Sequence, residues 1–299
     1  MAAITPSVTE QVMSLLTALQ SCLVPDPLPL YLAFQAMSQS AEVFEQTDIS
    51  EFLHFVLDRM HSEFFTSFHP SRRLASVTFT DSSLWTEIFR STLITRNFCH
   101  SNCLPVMTPT PAIEISLDIP ILRIPLIGRK TRKFLPVPFN LEDLIAGFCE
   151  PRSHACSRCG MEGGSETYFG SFPETLVINL GRAKFDMDNG SSKNRAFVEI
   201  PEKLDISQFH GIDPSAPTVS PAPYSLNAFV IHHGRGSDSG HYTAVTNRQG
   251  EWWHFNDMEI SKLKSVRSLL DSLSGVSHPC LLFYSRTIDE LNSKRRKIF

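Results

Sequence analysis

Residues 224–257 constrain the fold of this chain more than any other stretch. They run Tyr224-Ser-Leu-Asn-Ala-Phe-Val-Ile-His-His-Gly234, then Arg-Gly-Ser-Asp-Ser, then Gly240-His241-Tyr242, and later Glu251-Trp-Trp-His-Phe-Asn256-Asp257. β-branched and aromatic residues fill the runs, and glycine and small polar residues fill the gap. The pattern reads as a strand, a glycine-rich turn, a second strand opening with a histidine, and a third strand ending in Asn-Asp. Three neighbouring antiparallel strands can place His241 beside Asn256 or Asp257, although fifteen residues separate His241 from Asn256. A side-chain oxygen there would accept the imidazole Nδ1–H and leave Nε2 free to take a proton from a nucleophile. A histidine before a tyrosine carries little alone, because a satisfied core histidine is the ordinary explanation. The flanking pattern carries more than the histidine does.

Upstream, the periodicity changes. Leu15, Leu16, Leu19 and Leu23, within residues 12–35, suit a short helix ending near Pro25 and Pro27. Ile49, Phe52, Leu53, Val56, Leu57, Met60 and Phe64 recur at three- and four-residue steps and make the clearest apolar stripe in the chain. Asp48 with Glu51 resembles a capping box at its start, Asp standing for Ser or Thr. A strand at 75–79 and a short helix near 83–90 follow. From Cys99 onward short β-prone runs are broken by proline. Residues 104–111 hold three prolines and read as a loop, whereas Ile113, Ile115, Leu117 and Ile119 alternate as in a half-buried strand. Residues 128–133 read as a solvated basic turn, 140–148 as a brief helix, 175–180 as a buried strand, 186–194 as a polar loop, and 214–223 as a proline-rich linker. Further strands are expected at 224–233, 241–246, 251–255 and 280–285, and the tail at 294–297 reads as a basic, solvated end.

The histidine-bearing run now gains a context. Residues 224–242 resemble the histidine box of the ubiquitin-specific proteases, Tyr-x-Leu-x-Ala-Val-x-x-His-x-Gly, a variable loop, then Gly-His-Tyr. The matches are Tyr224, Leu226, Ala228, His232, Gly234, Gly240, His241 and Tyr242. The family's Trp-x-x-Phe-Asn/Asp-Asp follows at Trp252 (or Trp253), Phe255, Asn256 and Asp257. The resemblance implies that His241 is the general base, Asn256 the third triad member and Asp257 its support. It also implies that His232, Gly240 and Tyr242 line the substrate site and that residues 234–240 form the loop over the ubiquitin tail. Phe172-Pro-Glu-Thr-Leu-Val-Ile-Asn-Leu-Gly-Arg182 and Ile200-Pro-Glu-Lys-Leu-Asp-Ile-Ser resemble scaffold strands of the same family, with Ala183 where the family has Phe. Gln46-Thr-Asp48-Ile-Ser-Glu51-Phe52 resembles its Gln-Gln-Asp-Ala-x-Glu-Phe. That likeness implies that Gln46, Asp48 and Glu51 pair with arginines of ubiquitin's tail. An ordinary helix start with solvated acids is the other explanation.

Cys99 and Cys103 form one pair and Cys156 and Cys159 another, each close to a turn. Zn²⁺ takes four soft ligands in a tetrahedron, and two knuckles supply them. Such pairs also occur in the zinc ribbon of the family's fingers. Free thiols are the alternative, and His100 and His154 are substitute ligands; Cys149 and Cys280 sit in apolar runs and read as core. The family's nucleophile box, Gly-x-x-Asn-x-Gly-Asn-Thr-Cys, has no match. Ala18-Leu-Gln-Ser-Cys22-Leu resembles the helix that follows that box, which puts Met13 at the nucleophile position and makes Cys22 a helical cysteine.

The implied fold is α+β, a papain-like cysteine-protease fold. Its parts are a truncated helical thumb (1–97, with the acidic ubiquitin-tail helix at 46–64), zinc-ribbon fingers (98–165), a β-sheet palm with the histidine box (166–290) and a basic tail (291–299). The implied function is thiol-dependent hydrolysis of ubiquitin conjugates, with ubiquitin or ubiquitinated proteins as partners and zinc as a structural cofactor. Two alternatives stand beside it: a ubiquitin-binding pseudoenzyme or truncated form without a nucleophile, and a metal-ribbon scaffold unrelated to ubiquitin. As given, the chain is expected to be inactive or very weak. A net charge of −4 offers no basic field for nucleic acid or an anionic membrane, and no apolar run is long enough for a membrane span. Residues 1–11 show no secretory signal, so seven cysteines point to a reducing compartment, cytoplasmic or nuclear.

Overall fold

The computed structural model describes residues 7–21, 26–37, 48–68, 83–101, 103–120, 139–186, 190–211, 223–236, 239–273 and 275–287. The expected strand at 75–79, the basic turn at 128–133, the tail, Cys22, Gln46 and all of the 214–223 linker but Pro223 lie outside them. The chain divides into two units, residues 1–90 and 91–299.

The first unit is helical: α1 (Val8–Gln20), α2 (Leu28–Met37), α3 (Ile49–Phe68) and α4 (Leu84–Phe89). One helix was expected within residues 12–35, and the structure has two. α1 begins four residues earlier and stops at Gln20, and α2 starts directly after Pro27. Pro27 ends nothing; its fixed φ suits the first turn of α2, where the Asp26 carboxylate accepts the Leu28 N–H at 3.0 Å. The expected stripe buries Leu57 and Met60. Phe34 meets Phe52 and Phe55 edge-on, with ring centroids 5.3 and 5.0 Å apart. Asp48 caps α3 by accepting the Ser50 N–H at 2.8 Å. Glu63 of α3 accepts the first two N–H groups of α1, Val8 and Thr9, both at 2.9 Å, and so satisfies donors that the helix itself leaves open.

The second unit is built on sheets. β1 (Ser91–Cys99), β2 (Val106–Ala112), β5 (Arg152–Ala155) and β6 (Glu162–Ser171) form a four-stranded sheet in the order β2-β1-β6-β5. Residues 104–111 were expected to be a loop, yet most of them belong to β2. Prolines are tolerated there because β2 is an exposed edge strand. Pro109 and Pro111, opposite Ile94 and Thr92, are two apart, so their missing N–H groups fall on one side of the strand.

The larger sheet has eight strands. Its path is β15 (Glu259–Leu263), β14 (Glu251–Asn256), β13 (His241–Arg248), β12 (Tyr224–His233), β16 (Ser277–Arg286), β7 (Thr175–Gly181) and β3 (Ile115–Asp118), with β11 (Lys203–Leu204) also paired to β12. The expected alternation in β3 is real: Ile113, Ile115, Leu117 and Ile119 are all buried. α5 (Leu141–Cys149), capped by Asn140, buries Leu141, Leu144 and Ile145 in the same core, and α6 (Val266–Ser272) adds Val266 and Leu270. β4 (Phe139–Asn140) pairs in parallel with β10 (Val198–Glu199). Residues 186–194, expected as a loop, instead complete a hairpin of β8 (Ala183–Asp186) and β9 (Gly190–Lys193). β9 is Gly-Ser-Ser-Lys, and so short a polar strand shows no hydrophobic alternation to read. Among the described residues no helix is long and apolar enough to cross a membrane.

Candidate functional site

The β12–β13–β14 meander follows the expected spans. Its second turn is tight: Arg248 pairs with Glu251 across Gln249 (φ 56°) and Gly250 (φ 85°), both left-handed as a two-residue hairpin loop requires. That turn fixes the register, with Ala244 opposite Phe255, and carries Asn256 towards the start of β13. There His241 Nε2 donates to Asn256 Oδ1 at 2.6 Å, and Asp257 Oδ2 lies 3.8 Å from the same nitrogen. The expected residues meet, but through the other nitrogen. Nε2 is the atom farther from the backbone, and it reaches across to β14. This leaves Nδ1, not Nε2, as the atom able to accept a proton. Asp257 opens the next turn at φ 50°, a conformation that Asp tolerates better than most side chains.

His241 sits at the last rung of the β12–β13 ladder, opposite His233. The His233 ring is held at both nitrogens, Nδ1 by Ser277 Oγ at 2.8 Å and Nε2 by Thr243 Oγ1 at 2.9 Å. Burial, and then the neighbouring His241, hold its pKa below the ordinary histidine value. Sequence reasoning passed over His233; the His232-His233 doublet was its only trace. His232 is buried, with its ring centroid 4.9 Å from that of Tyr242. Gly240 rests against the His232 imidazole and the His233 carbonyl, a space no Cβ can enter. A Cβ on Gly234 would lie 2.5 Å from the Ser239 carbonyl oxygen. His232 thus packs against Tyr242 and Gly240, the two residues on either side of His241 in sequence. Trp252, the closer-spaced tryptophan, packs on the core with its ring 6.3 Å from Phe229. Asp48 and Glu51 belong to the helical unit, Asp48 as the α3 cap and Glu51 exposed in its first turn.

A second constellation lies where β1 and the β5–β6 turn come together. The Sγ atoms of Cys99, Cys103, Cys156 and Cys159 are all within 4.8 Å of one another, and Cys99 and Cys159 are 3.5 Å apart. A tetrahedral zinc with sulfurs at 2.3 Å sets its ligands about 3.8 Å apart. The N–H groups of Ser101, Arg158 and Met161 each point at the sulfur two residues back. Such bonds favour thiolate: the N–H groups of Arg158 and then Cys159 bring the Cys156 pKa down to about 6. Hydrogen bonding to Cys159 and Cys99 instead pushes the Cys103 thiol up to about 12. Four sulfurs within 4.8 Å of one another, with N–H groups aimed at three of them, can hold a metal. His100 and His154 are not among the four clustered ligands. Cys149 and Cys280 are half-buried, as expected of core-facing cysteines.

The family model described as ubiquitin carboxyl-terminal hydrolase matches residues 4–284, nearly the whole chain. The chain belongs to that family. Relatives include human ubiquitin carboxyl-terminal hydrolase 3, 28% identical over 73% of this chain and 45% of that protein. Mouse ubiquitin carboxyl-terminal hydrolase 17-like protein B is 28% identical over 82% of this chain and 47% of its own length. The chain therefore spans about half the length of these relatives. Among solved structures, the SAGA DUB module Ubp8/Sgf11/Sus1/Sgf73 bound to monoubiquitin aligns with a TM-score of 0.71 at 19% identity, covering 95% of this chain and 59% of the other. The same module bound to ubiquitin aldehyde aligns at 0.65 and 20% identity, over 87% of this chain and 54% of the other. The fold is the papain-like α+β fold of these hydrolases.

Proposed function

We propose that this chain recognises ubiquitin and carries the base half of a thiol-hydrolase site, with the four-cysteine cluster holding a structural zinc. The observation that carries the reading is the 2.6 Å bond between His241 and Asn256 on adjacent strands of a ubiquitin carboxyl-terminal hydrolase. In this reading His241 takes the proton of an attacking thiol at Nδ1 and returns it to the leaving amine. Asn256 holds the ring through Nε2, and Asp257 stabilises the imidazolium that forms. Residues 1–97 serve as a partial thumb, 98–165 as fingers and 166–290 as the palm. His232, Gly240 and Tyr242 line the tail channel, and Gln46, Asp48 and Glu51 meet the basic tail of ubiquitin. A thiolate-rich metal site suits a reducing compartment, the cytosol or nucleus.

A second reading, ubiquitin binding without cleavage, is favoured by one observation. No Gly-Asn-Thr-Cys sequence occurs in the chain, and Met13, at the position where that cysteine is expected, has no nucleophilic atom for acyl transfer.

Both readings require ubiquitin binding, which is measured by titrating the chain into ¹⁵N-labelled ubiquitin. Shifts confined to one ubiquitin face and its C-terminal tail are expected. Asp48→Lys with Glu51→Lys should weaken the affinity roughly tenfold, as expected for charge-assisted contacts. Asp48→Asn separates the roles of that residue, because it keeps the helix cap and removes the charge. No shift at all at millimolar chain would remove ubiquitin as the partner.

A further inference from the structure

The loop between β12 and β13 is tied down by two cations from one short segment. Lys193, the last residue of β9, points its Nζ at three main-chain carbonyls: His232 at 3.0 Å, Gly234 at 3.0 Å and Val276 at 2.9 Å. Arg195 donates to the Arg235 carbonyl at 2.8 Å. The Gly234 N–H reaches the same Val276 carbonyl at 3.1 Å. An ammonium has three hydrogens, and here each meets a carbonyl from a different place: the end of β12, the start of the loop and the entry to β16. None of these acceptors is a carboxylate. Burial, and then Arg182, bring the Lys193 pKa down to about 8, so the cation stays at a cost.

We propose that Lys193, seconded by Arg195, is a positioning residue for His241, clamping the backbone on both sides of His233 and so fixing where β13 begins. The path is short. The carbonyls of His232 and Gly234 flank His233, and His233 forms the last rung opposite His241. At its far end the loop closes with Gly240 against the His232 ring. Both ends of the loop thus rest on the residues that Lys193 holds. The inference deepens the reading of His241 as the working imidazole, and it rests on that reading.

The charged and titratable groups around Lys193 are Arg182 and Arg195 on adjoining segments, His233 on β12, and His278 and Cys280 on β16. Because its pKa is depressed, the unfolded chain holds the Lys193 proton more tightly than the folded one does. Losing that proton above pH 8 therefore costs no global stability. It removes one of the three donors. By the same linkage an opening that frees Lys193 to solvent takes up the proton more readily than the clamp does, so loop protection should not fall as pH rises through about 8.

The test is amide hydrogen exchange of the whole chain, with ¹⁵N spectra of the His241 ring. Lys193→Met removes all three charge-assisted hydrogen bonds and should lower the protection of the amides at 234–236 and 239–241 by at least about tenfold. β7 and β16 should keep their protection, the His241 ring should lose its single bound environment, and Lys193→Arg should restore most of both. Unchanged loop protection and an unchanged His241 ring in Lys193→Met would overturn the proposal. So would an equal loss in β7 and β16, which marks a merely structural lysine. Should Lys193→Met not fold, Arg195→Ala removes only the outer bond and should loosen the same amides about threefold; no change there overturns the proposal too. Ubiquitin titration of the wild type runs alongside. Its failure would sink the functional reading and leave the loop result standing.

Discussion

Gly240 shows how little freedom the site leaves at single positions. A methyl group there runs into the His232 ring and the His233 carbonyl, and the carbonyl cannot move without the ladder. Gly240→Ala should cost about 1–3 kcal/mol, as overpacking of a tight site does, read as a lower urea midpoint with an unchanged m-value. His278 gives a pH dependence. Burial first, and then Arg182 and Lys193, press its pKa down to about 4, while an unfolded histidine titrates near 6.5. The unfolded state therefore binds more protons between those values, and stability falls on acidification from about pH 6.5 to about 4. His278→Gln should flatten the dependence of unfolding free energy on pH across that window by about one proton. An unchanged slope would mean that the imidazole is solvated.

At the scale of elements, the four-cysteine knuckles fasten β1 to the β5–β6 turn at one end of a sheet whose outer strand, β2, is exposed along most of its length. Little apolar burial holds that end together, so the metal should. The purified chain should carry about one zinc, and chelation should raise amide exchange around residues 99–103 and 156–161 while β7, β12 and β16 stay protected. Free alkylation of all four thiols in the native, unchelated chain would count against a bound metal. The strands buried on one or both faces were legible in the sequence, because β3, β7, β12 and β16 must show alternating or continuous apolar runs. β2 was not, since its prolines read as breakers and only the pairing partner reveals an edge. The β8–β9 hairpin, whose second strand is Gly-Ser-Ser-Lys, left no signal, and with it Lys193 was lost to view. The His241–Asn256 pairing was legible because a short turn fixes register. The choice of nitrogen was not, because it depends on how far a ring must reach.

At the scale of the whole molecule, the question is whether this chain can complete a covalent cycle by itself. Of its seven cysteines, the six described ones are committed elsewhere. Cys99, Cys103, Cys156 and Cys159 face one another within 4.8 Å. Cys149 packs against the core, and burial raises its pKa to about 11, so it is almost wholly protonated at neutral pH. Cys280 lies in the central strand β16, with its sulfur 3.5 Å from the Val230 carbonyl. Cys22 belongs to a sequence unlike the nucleophile box. A base without a thiolate partner contributes almost nothing, because the members of a triad act as a unit. The chain incubated with ubiquitin bearing a C-terminal thiol-reactive warhead should therefore keep its mass, while ubiquitin binding persists. Intact-mass analysis decides the matter. A stoichiometric adduct on any cysteine, lost in His241→Ala, would show that the chain holds a working nucleophile and that its thiols have been misassigned.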